Sequence, residues 1–224
     1  RLAQLGEAVA KISHDLRNIL TSAQLFTDRI ESSEDPTVRR LAPKLVNSIT
    51  RAVSLCEGTL AFGRAEEPAP TFTMIPLAPV VEDVAEGERL ISESCAVQIQ
   101  NSVPPDLVVR GDPEQLFRVI LNLVRNARQA LLVIGKPGQV TVSAREDDKA
   151  WWISVADTGP GLPRRAREHL FTPFQGGSSK GGSGLGLAIS AELVRGHGGT
   201  LALKETGPEG TVFEICLPRG DGTI

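Results

Sequence analysis

Ile12-Ser13-His14-Asp15-Leu16-Arg17-Asn18-Ile19-Leu20 sits inside a long apolar repeat. Leu5, Val9, Ile12, Leu16, Ile19, Ala23, Phe26 and Ile30 alternate steps of four and three, the a/d seam of a coiled-coil-like helix. On that wheel Ile12 is a d position and Leu16 an a position, so His14 falls at f, away from the seam. Asp15 follows directly, and Asn18 lies one turn beyond His14 on the same face. An imidazole held out to solvent beside a carboxylate and a carboxamide suits chemistry on its ring nitrogens. A surface histidine on an amphipathic helix is the competing reading, and this stretch alone favours it.

Working outward, the first helix spans residues 2 to about 31 and ends in the polar run Glu31 to Pro36. A second helix follows, with Asp35 as N-cap and Pro36 in its first turn. Its apolar residues fall in two adjacent stripes: Val38, Leu41, Leu45, Ala52 and Leu55, then Val46, Ile49, Val53, Cys56 and Leu60. One hairpin cannot cover so wide a face, whereas two hairpins forming a dimeric four-helix bundle would. Ala65 to Pro70 has the composition of a linker, which puts a helical hairpin at residues 1–66 and a second domain at residues 67–220.

In the second domain the patterns are mixed. A helix is expected from Pro79 to about Glu93, and short strands at Val97–Gln100 and Leu107–Val109. Gly111-Asp112-Pro113-Glu114-Gln115 is the clearest helix start, with Asp112 as N-cap and Gln115 at capping-box spacing, and the helix runs to about Leu132. Gln139–Glu146 and Ala150–Val155 alternate as a hairpin turning at Asp147-Asp148, with one ring of Trp151-Trp152 on the core. A helix from Leu185 to His197 and strands at Thr200–Lys204 and Thr211–Leu217 close the domain. Helices alternating with hairpins predict an α+β sandwich.

Composition excludes several classes. Of 224 residues 23% are charged and the net charge is −3, so no broad basic field points to nucleic acid. Cys56, Cys95 and Cys216 are far apart, without CxxC spacing, which favours incidental thiols over a disulfide or zinc framework. No run approaches the length of a membrane span, and nothing resembles a signal peptide. The chain starts at Arg1, apparently within a helix, and is expected to be a fragment of a longer protein.

Four segments of the second domain carry chemistry. Asn122 and Asn126 stand at i and i+4 on one helix face, and carboxamide oxygens suit a hard cation such as Mg²⁺; solvated asparagines are the plainer alternative. Val155-Ala156-Asp157-Thr158-Gly159-Pro160-Gly161 ends a strand with an acid able to accept from an exocyclic amine such as adenine's. Its glycines would let a planar ring approach, though an ordinary turn reads the same. Gln175 to Gly182, with Ser179 and Lys180, has the composition of a lid or a plain flexible loop. Gly182-Ser183-Gly184-Leu185-Gly186-Leu187 runs into a helix, whose glycine-rich N-terminus can cradle phosphates. It is neither a Walker A loop nor the dinucleotide fingerprint, lacking the Gly-Lys-Ser/Thr ending of one and the last glycine of the other.

Taken in order, these segments resemble the catalytic core of bacterial two-component sensor histidine kinases. His14 to Asn18 resembles that family's H box, Asn122 to Ala127 its N box, Asp157 to Gly161 its G1 box, Leu170 to Phe174 its F box and Gly182 to Gly186 its G2 box. Gly210-Thr211-Val212-Phe213 is similar to its closing strand. The resemblance implies a hairpin for dimerisation and phosphotransfer, followed by an ATP-binding domain of the histidine kinase/Hsp90-like type. It implies His14 as phosphoacceptor, Asp15 as base, Asn126 as Mg²⁺ ligand, and Asn122 and Arg125 near the phosphates. Asp157 would read adenine with Thr211, beside Gly159 and Gly161. Gly182, Gly184, Leu185, Gly186 and Leu187 would hold phosphate oxygens through their backbone, with Ser179 and Lys180 closing over them. The implied activity is ATP-dependent autophosphorylation of His14 and transfer to an aspartate of a response-regulator receiver domain. The implied setting is a cytoplasmic homodimer.

Asp15-x-x-Asn18 matches the pattern by which the family dephosphorylates its partner, and Ile19 stands where the family usually has proline. Two other readings remain: a chaperone- or topoisomerase-type ATPase, against which the His14 helix counts, and a nucleotide-binding scaffold or pseudokinase, against which His14, Asn126 and Asp157 count.

Overall fold

The computed structural model describes residues 69–91, 97–135, 137–172 and 185–219. The helical hairpin expected over residues 1–66 lies outside them, as do His14, Asp15, Asn18, Ser179, Lys180, Gly182 and Gly184. Residues 68–179 and 186–224 form one of two compact units.

This unit is built in the order β1 (Thr73–Pro76), α1 (Leu77–Ile91), β2 (Val97–Ser102), β3 (Val108–Gly111), α2 (Pro113–Ile134), β4 (Gly138–Glu146), β5 (Ala150–Asp157), α3 (Arg164–Glu168), α4 (Gly186–Gly196), β6 (Thr200–Gly207) and β7 (Gly210–Pro218). Strands β2-β4-β5-β7-β6 form a five-stranded sheet, and β1 pairs with β3 in a small antiparallel sheet of its own. Every neighbour pair of the large sheet is antiparallel except β2–β4. That one parallel pair departs from the expectation of hairpins alone. Parallel neighbours need a crossover, and α2 supplies it, while β3 is diverted to β1.

Helix α2 is central because its apolar residues recur at helical spacing. Leu116, Val119, Ile120, Leu123, Val124, Ala127 and Leu131 are all buried. It packs against α1, α4 and the sheet. The inward sheet residues alternate as a period of two requires: Val140 and Val142 on β4, Trp151, Ile153 and Val155 on β5, Phe213, Ile215 and Leu217 on β7. The other face carries Ser154, Lys204 and Glu214, with Arg145 stacked on the half-buried Trp152, and has the polar character of a solvated surface.

Element ends follow local chemistry. The Asp112 carboxylate accepts from the Gln115 amide at 3.0 Å and from the Thr71 amide at 2.9 Å, and these backbone donors pull its pKa below the ordinary range against the opposing effect of burial. The second bond of the expected capping box goes elsewhere: the Asp112 amide donates to Nε2 of His197 at 2.9 Å. Nδ1 of His197 is 2.8 Å from the Leu193 carbonyl, so the buried ring is a neutral Nδ1–H tautomer tying α4 to the start of α2. Helix α2 runs two residues past the expected end, to Ile134, and is stopped by the left-handed conformation of Gly135. Helix α1 begins two residues before Pro79, which a first turn tolerates because its amides have no helical partner. Strand β1, not anticipated, has one buried residue in four, Ile75. Among the described residues no helix is long and apolar enough to cross a membrane.

Candidate functional site

Three segments far apart in sequence converge on one face of α2. Asn122, Asn126 and Ala130 follow one another at i, i+4 and i+8, so they form a row along the helix. At one end of the row the Asn122 carboxamide donates to the Ser190 hydroxyl of α4 at 3.3 Å and lies 3.5 Å from the Gly186 carbonyl. At the other end a side-chain carbon built on Gly159 would sit 3.7 Å from Ala130 Cβ. The start of α4 and the loop after β5 therefore flank Asn126. Among the described residues no hydrogen bond ties up the half-exposed Asn126 carboxamide.

Asp157 is the last residue of β5 and faces Thr211 of β7 across the ladder. Its Oδ1 accepts from the Gly159 amide at 2.8 Å, so the chain turns back around its own carboxylate. Burial raises the Asp157 pKa, and backbone hydrogen bonds from Gly159 and Thr211 partly offset that rise. An acid held in this way can accept one strong hydrogen bond from a ligand amine that reaches it.

The loop that presents Asp157 is held from both sides. Thr158 and Gln139 exchange two hydrogen bonds, Thr158 N to Gln139 O at 3.1 Å and Gln139 N to Thr158 Oγ1 at 3.0 Å. The Leu162 amide donates to Thr206 Oγ1 at 2.7 Å, and that hydroxyl lies 3.4 Å from the buried Thr211 hydroxyl. Gly161 adopts φ of 75°, and a Cβ there would meet the Gly207 carbonyl oxygen at 2.3 Å. Gly210, with φ of 138°, passes so close to β5 that a Cβ would fall 1.8 Å from the Asp157 carbonyl oxygen. Only glycine lets these two backbone segments approach.

Arg125, directly before Asn126 and so about 100° round the helix from it, meets Glu88 of α1 at 3.3 Å. Gly186 and Leu187 open α4, and Leu185 directly precedes it. Sequence reasoning did not single out Glu88, Ser190 or Thr206. Ser190 stands one turn after Gly186, a spacing that could have marked it as facing the same helix. Glu88 and Thr206 carried no such signal. Among the described residues no cluster of three or more His, Cys, Asp or Glu could hold a metal ion.

Residues 111–221 match the family model described as histidine kinase-, DNA gyrase B- and HSP90-like ATPase, and residues 4–68 match the His Kinase A (phospho-acceptor) domain. The chain belongs to the sensor histidine kinases. It contains both parts of a histidine kinase catalytic core, the phospho-acceptor domain and an ATP-binding domain. It is 30% identical to the C4-dicarboxylate transport sensor protein DctB of Rhizobium meliloti over 98% of its own length and 35% of that protein. It is 30% identical to the sensor histidine kinase ZraS of Klebsiella oxytoca over 97% of its length and 47% of that kinase. The chain thus spans between about a third and just over half of the length of curated relatives it matches. Among solved structures, full-length ShkA in complex with AMPPNP superposes with a TM-score of 0.72 at 27% identity, over 95% of this chain and 45% of that one. Histidine kinase ThkA in complex with the response regulator protein TrrA gives 0.67 at 25% identity, over 98% and 63%.

Proposed function

We propose that this sensor kinase core autophosphorylates His14 from ATP and passes the phosphoryl group to an aspartate of a response-regulator receiver domain. The observation that carries the reading is the α2 row, along which Asn122 and Asn126 lie between the start of α4 and the Asp157 loop. In this reading Asp157 accepts from the adenine amine, with Thr211 behind it, and Gly159 and Gly161 leave room for the ring. Asn122 and Arg125 lie by the phosphates. The backbone from Gly182 through Gly184, Leu185, Gly186 and Leu187 cradles phosphate oxygens. Ser179 and Lys180 close over them.

Among the described residues no hydrogen bond ties up the Asn126 carboxamide and no acidic cluster could hold a metal ion, which fits Mg²⁺ shared with a nucleotide better than an all-protein metal cage. Asn126 would hold the ion together with phosphate oxygens and waters, and the ion supplies neutralisation of the charge on the transferring group.

At the acceptor a ring nitrogen of His14 attacks the γ-phosphorus, the bond to the ADP oxygen breaks, and the proton of the other ring nitrogen passes to Asp15. Asn18 holds a water in line with the phosphoaspartate of the receiver, which adds a phosphatase activity. Residues 1–66 form the homodimeric hairpin and residues 67–220 the catalytic domain, and the core works in the cytoplasm. Incubation with γ-labelled ATP and Mg²⁺ tests the reading. Label should enter the unaltered chain and fail to enter His14→Ala, which still binds ATP. Equal labelling of His14→Ala would overturn the assignment.

A further inference from the structure

Glu88 is among the most deeply buried charged groups described, 1% exposed, and it is shared by two arginines of α2. Arg128, itself buried, meets Oε2 through Nε at 2.6 Å. Arg125 is nearly half exposed and reaches Oε1 with both Nε and Nη2 at 3.3 Å. A carboxylate gripping the Nε–Nη2 edge fixes the plane of a guanidinium and leaves its Nη1 edge directed away. The helix that carries Arg125 also carries Asn126, the next residue, and Asn122, about one turn before it.

We propose that Glu88 is a positioning residue for the nucleotide's phosphates: from α1 it holds the Arg125 guanidinium so that its free edge meets them. The inference rests on the nucleotide reading given above. It assigns a function to a buried acid in a helix that otherwise serves only as packing. Arg128 is the anchor of the arrangement, since it is itself buried and holds Oε2 of Glu88 at 2.6 Å. Arg125 is the working arm.

The sign of the effect distinguishes this from simple electrostatics. Removing a negative charge beside a phosphate site should, by charge alone, strengthen ATP binding. Removing a positioning group should weaken it.

The test is a double-mutant cycle on the whole chain, reading ATP affinity by calorimetry and stability by urea unfolding for Glu88→Gln, Arg125→Gln and the pair. Glu88→Gln should weaken ATP about 5- to 20-fold, part of what a charge-assisted hydrogen bond contributes. In the Arg125→Gln background the same change should leave ATP affinity within about twofold, while its cost to stability persists because Arg128 is still left unpaired. Arg125→Lys, which keeps the charge and the Glu88–Arg128 pair but loses the planar edge, should also weaken ATP, and it serves should Glu88→Gln not fold. Unchanged or tighter ATP binding in Glu88→Gln, additive losses in the pair, or normal binding in Arg125→Lys would each overturn the proposal. Failure of the unaltered chain to bind ATP would overturn the nucleotide reading beneath it.

Discussion

Asp157→Asn separates recognition from folding at a single atom. The variant keeps an oxygen in place of Oδ1, so the Gly159 amide, 2.8 Å away, retains its acceptor. What it loses is the second oxygen, replaced by an NH₂ group that meets the adenine amine donor to donor. A hydrogen bond to a charged group contributes about 1.5–3 kcal/mol, so ATP binding should weaken roughly 10- to 150-fold. Folding should respond in the other direction. Burial raises the pKa of Asp157, which means the fold disfavours the ionised form. A raised folded pKa makes the unaltered protein lose stability as pH climbs from the ordinary aspartate range through the raised value, and the loss is complete above it. Asparagine carries no such penalty, so at neutral pH the variant should be as stable as the parent or more so. Calorimetric ATP titration and urea unfolding at pH 7 read the two effects separately. Normal ATP affinity would refute the adenine assignment, and a destabilised variant would refute the account of how the loop holds its carboxylate.

Two further outcomes follow from the structure and a third from the sequence around His14. His197→Ala strands the Asp112 amide, leaves the Leu193 carbonyl only the backbone amide of residue 197, and opens a cavity near Leu116, and should cost about 2–4 kcal/mol by urea unfolding. Gly161→Ala places a Cβ against the Gly207 backbone at a positive φ and should cost about 1–3 kcal/mol together with ATP affinity, whereas Gly87→Ala, with nothing within 4 Å on an exposed turn of α1, should stabilise by about 0.5–1 kcal/mol. Asn18→Ala should keep autophosphorylation and lose dephosphorylation of the receiver, because a carboxamide can orient a water but cannot act as a base, while Asp15→Ala should lose autophosphorylation; equal loss of both activities in Asn18→Ala, measured with labelled ATP and then phosphorylated receiver, would recast it as a docking residue.

Where the sequence was legible, a local signal coincided with the final environment. Asp112-Pro113 starts α2 as expected because an N-cap acts within its own turn. Asp147 turns the β4–β5 hairpin by accepting from the Lys149 and Ala150 amides with its own side chain, and Trp151 goes inward while Trp152 stays half exposed. Asp157 could be singled out as an acid two residues before a glycine at a strand end, and Asn122 and Asn126 as carboxamides at i and i+4 on one helix face. What escaped notice depends on partners distant in the chain. Strand β1 pairs with β3 across more than thirty residues while burying only Ile75, so it leaves no alternation to read. The parallel β2–β4 pairing is a property of the crossover through α2, not of either strand. His197 displaced the second half of the capping box from 85 residues away. Glu88 looks in sequence like one more charge on a solvated helix, and only the packing of α1 on α2 buries it between two arginines.

The most direct test of the central claim is the position and chemistry of the phosphate. After incubation with ATP and Mg²⁺ and quenching in alkali, peptide mass spectrometry should place a single phosphoryl group on His14. That group should be lost on brief exposure to acid, should survive base, and should be absent from Asp157→Asn. An acid-stable phosphate on serine or threonine, or phosphate on His169 or His197 with His14 unmodified, would contradict the account.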